Sequence, residues 1–148
     1  MKKIVLIAGI AICMLAACNN QSNDDVAIKQ LREEAIAIHD EIMPQISVFD
    51  RTSLKVDSLL ANLSQLKDTH AGLDTAQTRA ELTTLKSKLE NATDSMMEWM
   101  NGFDLDPQHN TTAEVKAYYQ HEVDKVRELK QVFDEVSKES ADMLAPFQ

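Results

Sequence analysis

Ile28, Ala35, Ile42, Phe49, Val56 and Leu63 stand seven residues apart, and all six are apolar. A sevenfold spacing keeps one stripe of an α-helix turned towards a partner, whereas a half-buried strand alternates with a period of two. The run therefore reads as a long helix that must pack against other helices. Pro44 falls inside it. Proline lacks the N–H that an interior turn needs, yet the stripe keeps its phase on both sides, and Met43 is a poor cap for a new helix. The expectation is one helix from about Asp24 to Lys67, kinked near Pro44.

The rest of the chain repeats the pattern. Gly72 and Asp74 mark a first turn, with Gly72 as a left-handed cap and Asp74 as an N-cap three residues before Gln77. A second stripe follows: Leu82, Leu85, Leu89, Ala92, Met96, Trp99 and Phe103, closed by Gly102 and Pro107. Thr111 and Glu114 form a capping box, and the third stripe runs from Val115 through Tyr119, Val123, Val126, Phe133 and Val136 to Leu144. With three glycines and no alternating β-branched run, the chain has little to build a sheet from. The fold class expected is all-α, an antiparallel three-helix bundle with a long first helix. A four-helix bundle is the alternative if the chain folds back at Pro44.

The first residues belong to a different category. Lys2 and Lys3 precede an apolar run from Ile4 to Ala17, which has the layout of an export signal and is short for a membrane span. It ends in "LAAC", which resembles the bacterial lipobox: cleavage between Ala17 and Cys18, with a diacylglyceryl thioether on Cys18. Two or three acyl chains hold a protein to a membrane stably, because each buried methylene contributes about 0.8 kcal/mol. The expected organisation is thus signal peptide 1–17, lipidated tether 18–23 and helical domain 24–148. Cys13 leaves with the signal and Cys18 is acylated, so no disulfide remains. No cofactor is expected beyond the covalent lipid.

Charge narrows the partners. The net charge is −9, and loss of Lys2 and Lys3 leaves 13 basic against 24 acidic residues, or −11. That balance repels phosphate backbones, so nucleic acid is not an expected partner.

Two stretches carry the candidate chemistry, "HDEIMP" from His39 and "MMEWM" from Met96. Reflection about a first turn near Ala71 brings Trp99 level with Met43 and Phe103 with His39, while a second turn near Asp106 brings His109 to the same end. The favoured reading is core packing: Met96, Trp99, Met100 and Phe103 lie on the inner stripe, and methionine fills gaps beside a proline. The sharper reading uses His39, Met43, Met100 and His109 as two imidazoles and two thioethers, a soft set suited to copper or haem. Asp40 and Glu41 diverge by about 100° on a helix, so they read as solvated acids and not as a catalytic pair. Glu122 is the anomaly, a carboxylate within an apolar stripe and without an evident partner. No nucleophile elbow, phosphate loop or "HExxH" occurs, and no enzymatic activity is expected.

The same reflection leaves the first helix uncovered from Asp24 to Ile38, an overhang of about 20 Å at 1.5 Å per residue. Ile28, Leu31, Ala35 and Ile38 lie there as a candidate association seam. The expected partners are a second copy of this chain or another envelope protein.

"AIHDEIMP" with "MMEWMNGF" resembles a group of small lipoproteins from Bacteroidetes-type bacteria, some labelled "viral A-type inclusion protein". The resemblance covers the lipobox and most of the mature chain, and implies an exported helical lipoprotein with no catalytic residues to carry over. It also implies that "DSL" at Asp57, "DTA" at Asp74 and "DSM" at Asp94 are similar to O-glycosylation sites. Asn19 after the lipidated cysteine, where a retention signal would have aspartate, favours the outer membrane of the cell envelope.

Overall fold

The computed structural model describes residues 17–147, with side chains from Asn23 onward. Residues 1–16 of the expected signal segment, the cleavage between Ala17 and Cys18, and the Cys18 thiol lie outside the described residues. The chain is an all-helical bundle, and no strand occurs among the described residues. The elements are α1 (Ala17–Ala61), α2 (Leu63–Thr69), α3 (Thr75–Gly102) and α4 (Thr112–Leu144), followed by a 3-10 turn (Ala145–Phe147).

The sevenfold stripe of α1 is its inner face. Ala35, Ile42, Phe49 and Val56 are all buried, as is Leu63, which continues the stripe on α2, and only Ile28 at the N-terminal end is half-buried. Pro44 lies within α1 without ending it, so the fold-back that would have made a four-helix bundle does not occur. The interruption falls at Asn62 instead, where the backbone turns to φ −109° and ψ 15° and the side-chain amide donates to the Ser58 carbonyl at 2.8 Å. Asparagine competes in this way with the helix ladder, and the leucine spacing on either side gives no sign of it.

The helix also starts earlier than expected. Residues 18–23, expected as a tether, are helical and continuous with the rest of α1. Extending an existing helix costs little compared with nucleating one, and the polar Asn and Gln side chains do not prevent it.

Cross-helix pairs give the register. Between α1 and α4, Lys116 Nζ lies 3.0 Å from Asp24 Oδ1 and Ser137 donates to Gln45 at 3.0 Å, with a separation of 92 residues in both cases, so the two helices run in the same direction. Arg127 pairs with Glu34 between them, and Phe49 stacks on Phe133 at 4.8 Å with planes 8° apart. Between α1 and α3 the indices run oppositely: Lys86 meets Asp57 at 2.6 Å, and the Trp99 ring lies 5.8 Å from that of His39. Trp99 is thus one helical turn from the level of Met43, where reflection put it. Between α3 and α4, Lys88 bonds both oxygens of Glu139, at 2.7 and 2.6 Å. These exposed pairs mark alignment more than they stabilise it.

The overhang does not exist. Ala35 has 0% exposure, and Leu31 and Ile38 pack against the core. Reflection about Asp106 supposes a tight turn there, but a nine-residue connection, 103–111, joins α3 to α4. Nearly extended, nine residues can travel about 30 Å, which is enough to start α4 well beyond the end of α3. The uncovered seam of α1 is therefore lined by the first turns of α4.

The caps follow from chemistry. Asp74 accepts from the N–H groups of Ala76 and Gln77, and Gly72 adopts φ 90°. The Gln77 side chain bonds Glu81 at 2.7 Å and does not reach back to Asp74, so only half of a reciprocal box forms there. At α4 the box is complete: Glu114 N–H donates to Thr111 Oγ1 at 3.2 Å, and Thr111 N–H donates to Glu114 Oε2 at 3.0 Å.

Candidate functional site

Most of the aromatic side chains gather where α3 ends. The nearest-neighbour ring distances run His39 to Trp99 at 5.8 Å, Trp99 to Phe103 at 4.9 Å and Phe103 to Tyr119 at 6.1 Å. They continue from Tyr119 to Tyr118 at 5.1 Å and from Tyr118 to His109 at 5.7 Å. Such separations suit tilted and edge-on contacts, each contributing about 0.5–1.5 kcal/mol beyond burial.

The row ties the connection 103–111 to α4. Tyr119 donates its hydroxyl to the Leu105 carbonyl at 2.8 Å, and the Tyr118 oxygen accepts the Asp104 N–H at 2.6 Å. Burial pushes both phenols above the ordinary value, with the Arg32 guanidinium pulling the other way at Tyr119. Neither tyrosine stood out as a site residue in the sequence. Tyr119 read only as one more position of an apolar stripe, and the signal available was its adjacency to Tyr118 on a chain poor in aromatics.

The candidate cluster is brought together in part. Met96 and Trp99 are buried, while Met43 and Met100 are half-buried against the same core. His39 joins them through Trp99. His109 does not: it is exposed on the connection and its ring neighbour is Tyr118. The two imidazoles thus sit at opposite ends of the aromatic row. Among the described residues no group of three or more His, Cys, Asp and Glu side chains converges as a metal cluster.

His39 has two different ring nitrogens. Nδ1 lies 3.0 Å from Asp40 Oδ1, whereas Nε2 is buried without a hydrogen-bond partner, as is Nε1 of Trp99. With Nδ1 protonated towards the carboxylate, Nε2 is an acceptor close to an indole donor, and each unpaired group costs about 1–3 kcal/mol. Asp40 and Glu41 are exposed, Glu41 lying 3.6 Å from Lys130, in keeping with solvated acids.

Glu122 finds its partner three residues along its own helix. Its carboxylate has 5% exposure and accepts from Lys125 Nζ at 2.8 Å, while the lysine head remains half in solvent. This pair stands in an open cavity of about 480 Å³ between α3 and α4, floored by Trp99 and Leu129 and rimmed by Glu98 and Glu128. A concave apolar floor with a polar rim is what a binding site offers.

No helix among the described residues is long and apolar enough to cross a membrane. No protein-family model, curated protein or solved structure matches this chain.

Proposed function

We propose that this chain is a lipid-anchored protein of the bacterial cell envelope that acts as a non-catalytic binding module, its three long helices forming an antiparallel bundle. The observation that carries the reading is the position of the lipobox cysteine. Cys18 lies within α1, and α1 continues without a break into the bundle core. Acyl chains on that sulfur would fix one end of a stiff rod, and the 17 residues from Cys18 to the buried Ala35 correspond to about 25 Å. The bundle would then stand off a membrane surface, with the outer membrane favoured by Asn19. The cavity beside Trp99 and the acidic surface direct the protein towards binding and away from nucleic acid.

Mass spectrometry of the native polypeptide tests the anchor. The expected result is a chain beginning at Cys18 with a diacylglyceryl adduct, and a chain that retains Met1 without acyl groups would overturn it.

A second reading, a small metal- or haem-binding bundle that uses His39, Met43 and Met100, rests on one observation: the buried, unpartnered Nε2 of His39. Metal analysis and visible absorbance of protein purified from its native envelope decide it. Bound metal or a Soret band lost in His39→Leu would favour this reading, and colourless, metal-free folded protein would remove it.

A further inference from the structure

We infer that the open groove between α3 and α4 is the seat of a cationic amphipathic helix from another protein. The inference deepens the binding-module reading and rests on it. α1 packs behind the α3–α4 pair, and no helix among the described residues lies across the opposite groove. The cavity beside Trp99 continues into a second one of about 300 Å³, and Ser95, Leu129 and Val132 line both. The stretch from Glu122 to Glu139 spans 17 residues of α4, or about 25 Å, room for four to five turns of a docked helix.

Trp99, Ala92 and Val136 form the groove's base and are already buried, and the apolar stripe left in water is that of half-buried Leu129 and of Val132, which is 40% exposed. Covering that stripe removes apolar surface from water at about 25 cal/mol per Å², which gives a partner helix its reason to bind.

Charge on the rims selects the partner. Five glutamates and two lysines line the two cavities, and the lysines are already engaged, Lys125 by Glu122 and Lys88 by Glu139. Glu98, Glu128 and Glu135 are left without an ion pair among the described residues. Glu128 and Glu135 are seven residues apart, so they face lysines or arginines at heptad spacing on a partner, as flanking charges do in coiled coils. A second copy of this chain would bring the same acidic rims and a net charge of −9. Like charges across the seam disfavour that occupant.

The probe is a synthetic, tryptophan-free helical peptide of about five turns with a leucine stripe flanked by lysines. It is titrated into the full chain carrying Cys18→Ser, so that no acyl chain competes for the peptide, and emission of the sole tryptophan reports occupancy of the groove. The expected result is saturable one-to-one binding that shifts Trp99 emission and weakens with salt. Glu128→Lys with Glu135→Lys, both on exposed positions, weakens it about tenfold or more, and a peptide with glutamates in place of lysines fails to saturate. Asp50→Lys with Asp94→Lys, on the α1–α3 face, leaves affinity within about twofold. Equal affinity for the glutamate peptide, unchanged affinity in the rim variant, or absence of saturable binding would overturn the inference. So would concentration-dependent self-association that produces the same Trp99 shift. An acylated Cys18 with a failed titration removes the groove and leaves the anchor, whereas a successful titration without acylation does the reverse.

Discussion

The body of the molecule and its N-terminal stem share two helices and one apolar stripe, yet they bury that stripe differently. In the body, α1, α3 and α4 surround Ile42, Met96, Val126 and Phe133, each with no exposure. In the stem, beyond the end of α3, the described residues supply α1 and the start of α4, with the connection 103–111 held to α4 by Tyr118 and Tyr119. There Tyr119 and Val123 on α4 are still buried, but Ile28, Leu31 and Val115 are only half-buried. The hydrophobicity of the stripe is alike in both places. The number of helical neighbours sets how much water leaves it, and burial in turn sets the energy.

The largest test of this difference is a pair of truncations. Phe133→Ala, which removes the ring stacked on Phe49, should cost about 3–5 kcal/mol in urea unfolding, whereas Leu31→Ala in the stem should cost about 1–2. Equal losses would erase the distinction between the two regions.

A smaller effect isolates what closes the stem. Tyr119→Phe removes the hydroxyl that holds Leu105 and leaves its carbonyl to water, so a loss of about 1 kcal/mol is expected, with faster amide exchange in 103–111. Titration makes the same point without mutation. Burial raises the Tyr119 phenol above its ordinary value of 10.0, so the unfolded chain ionises first. Stability from the neutral phenol is complete below 10.0 and declines as pH rises through the folded value, where the donor to Leu105 is lost. Tyr118 only accepts in its bond to Asp104, so Tyr118→Phe should leave this alkaline transition in place. Tyrosinate absorbance followed together with helical circular dichroism checks both.

The smallest expected change belongs to the body's edge. His39→Leu replaces a buried unpaired nitrogen by apolar surface against Trp99, and should leave stability within about 0.5 kcal/mol or raise it. A loss of several kcal/mol would mean that Nε2 has a partner and would sharpen interest in His39 as a ligand.

Much of the body was legible in the sequence because its cause is periodic. The stripe from Ala35 to Leu63, the inner face from Leu82 to Trp99, and the caps at Asp74 and Thr111 each follow from local rules. The stem was not legible for a specific reason. Reflection about a turn assumes that the next helix starts where the last one ends, and the extended path of 103–111 breaks that assumption. Asn62 was missed because a side-chain bond to Ser58 competes with the ladder without disturbing the leucine spacing. Glu122 looked anomalous in sequence and was: its partner, Lys125, lay three residues away on the same face, and the two are set in a groove whose existence depends on how α3 meets α4.

α4 lies alongside the N-terminal part of α1, from Asp24 past Gln45, and closes the stem. Zero-length carbodiimide coupling of the unmodified chain, followed by peptide mass spectrometry, turns close Lys–carboxylate pairs into isopeptide bonds. That placement predicts an intramolecular bond between Asp24 and Lys116, recovered together with Asp57–Lys86 and Glu139–Lys88 from the body. Recovery of the two body links without Asp24–Lys116, accompanied by intermolecular links from residues 24–38, would contradict it.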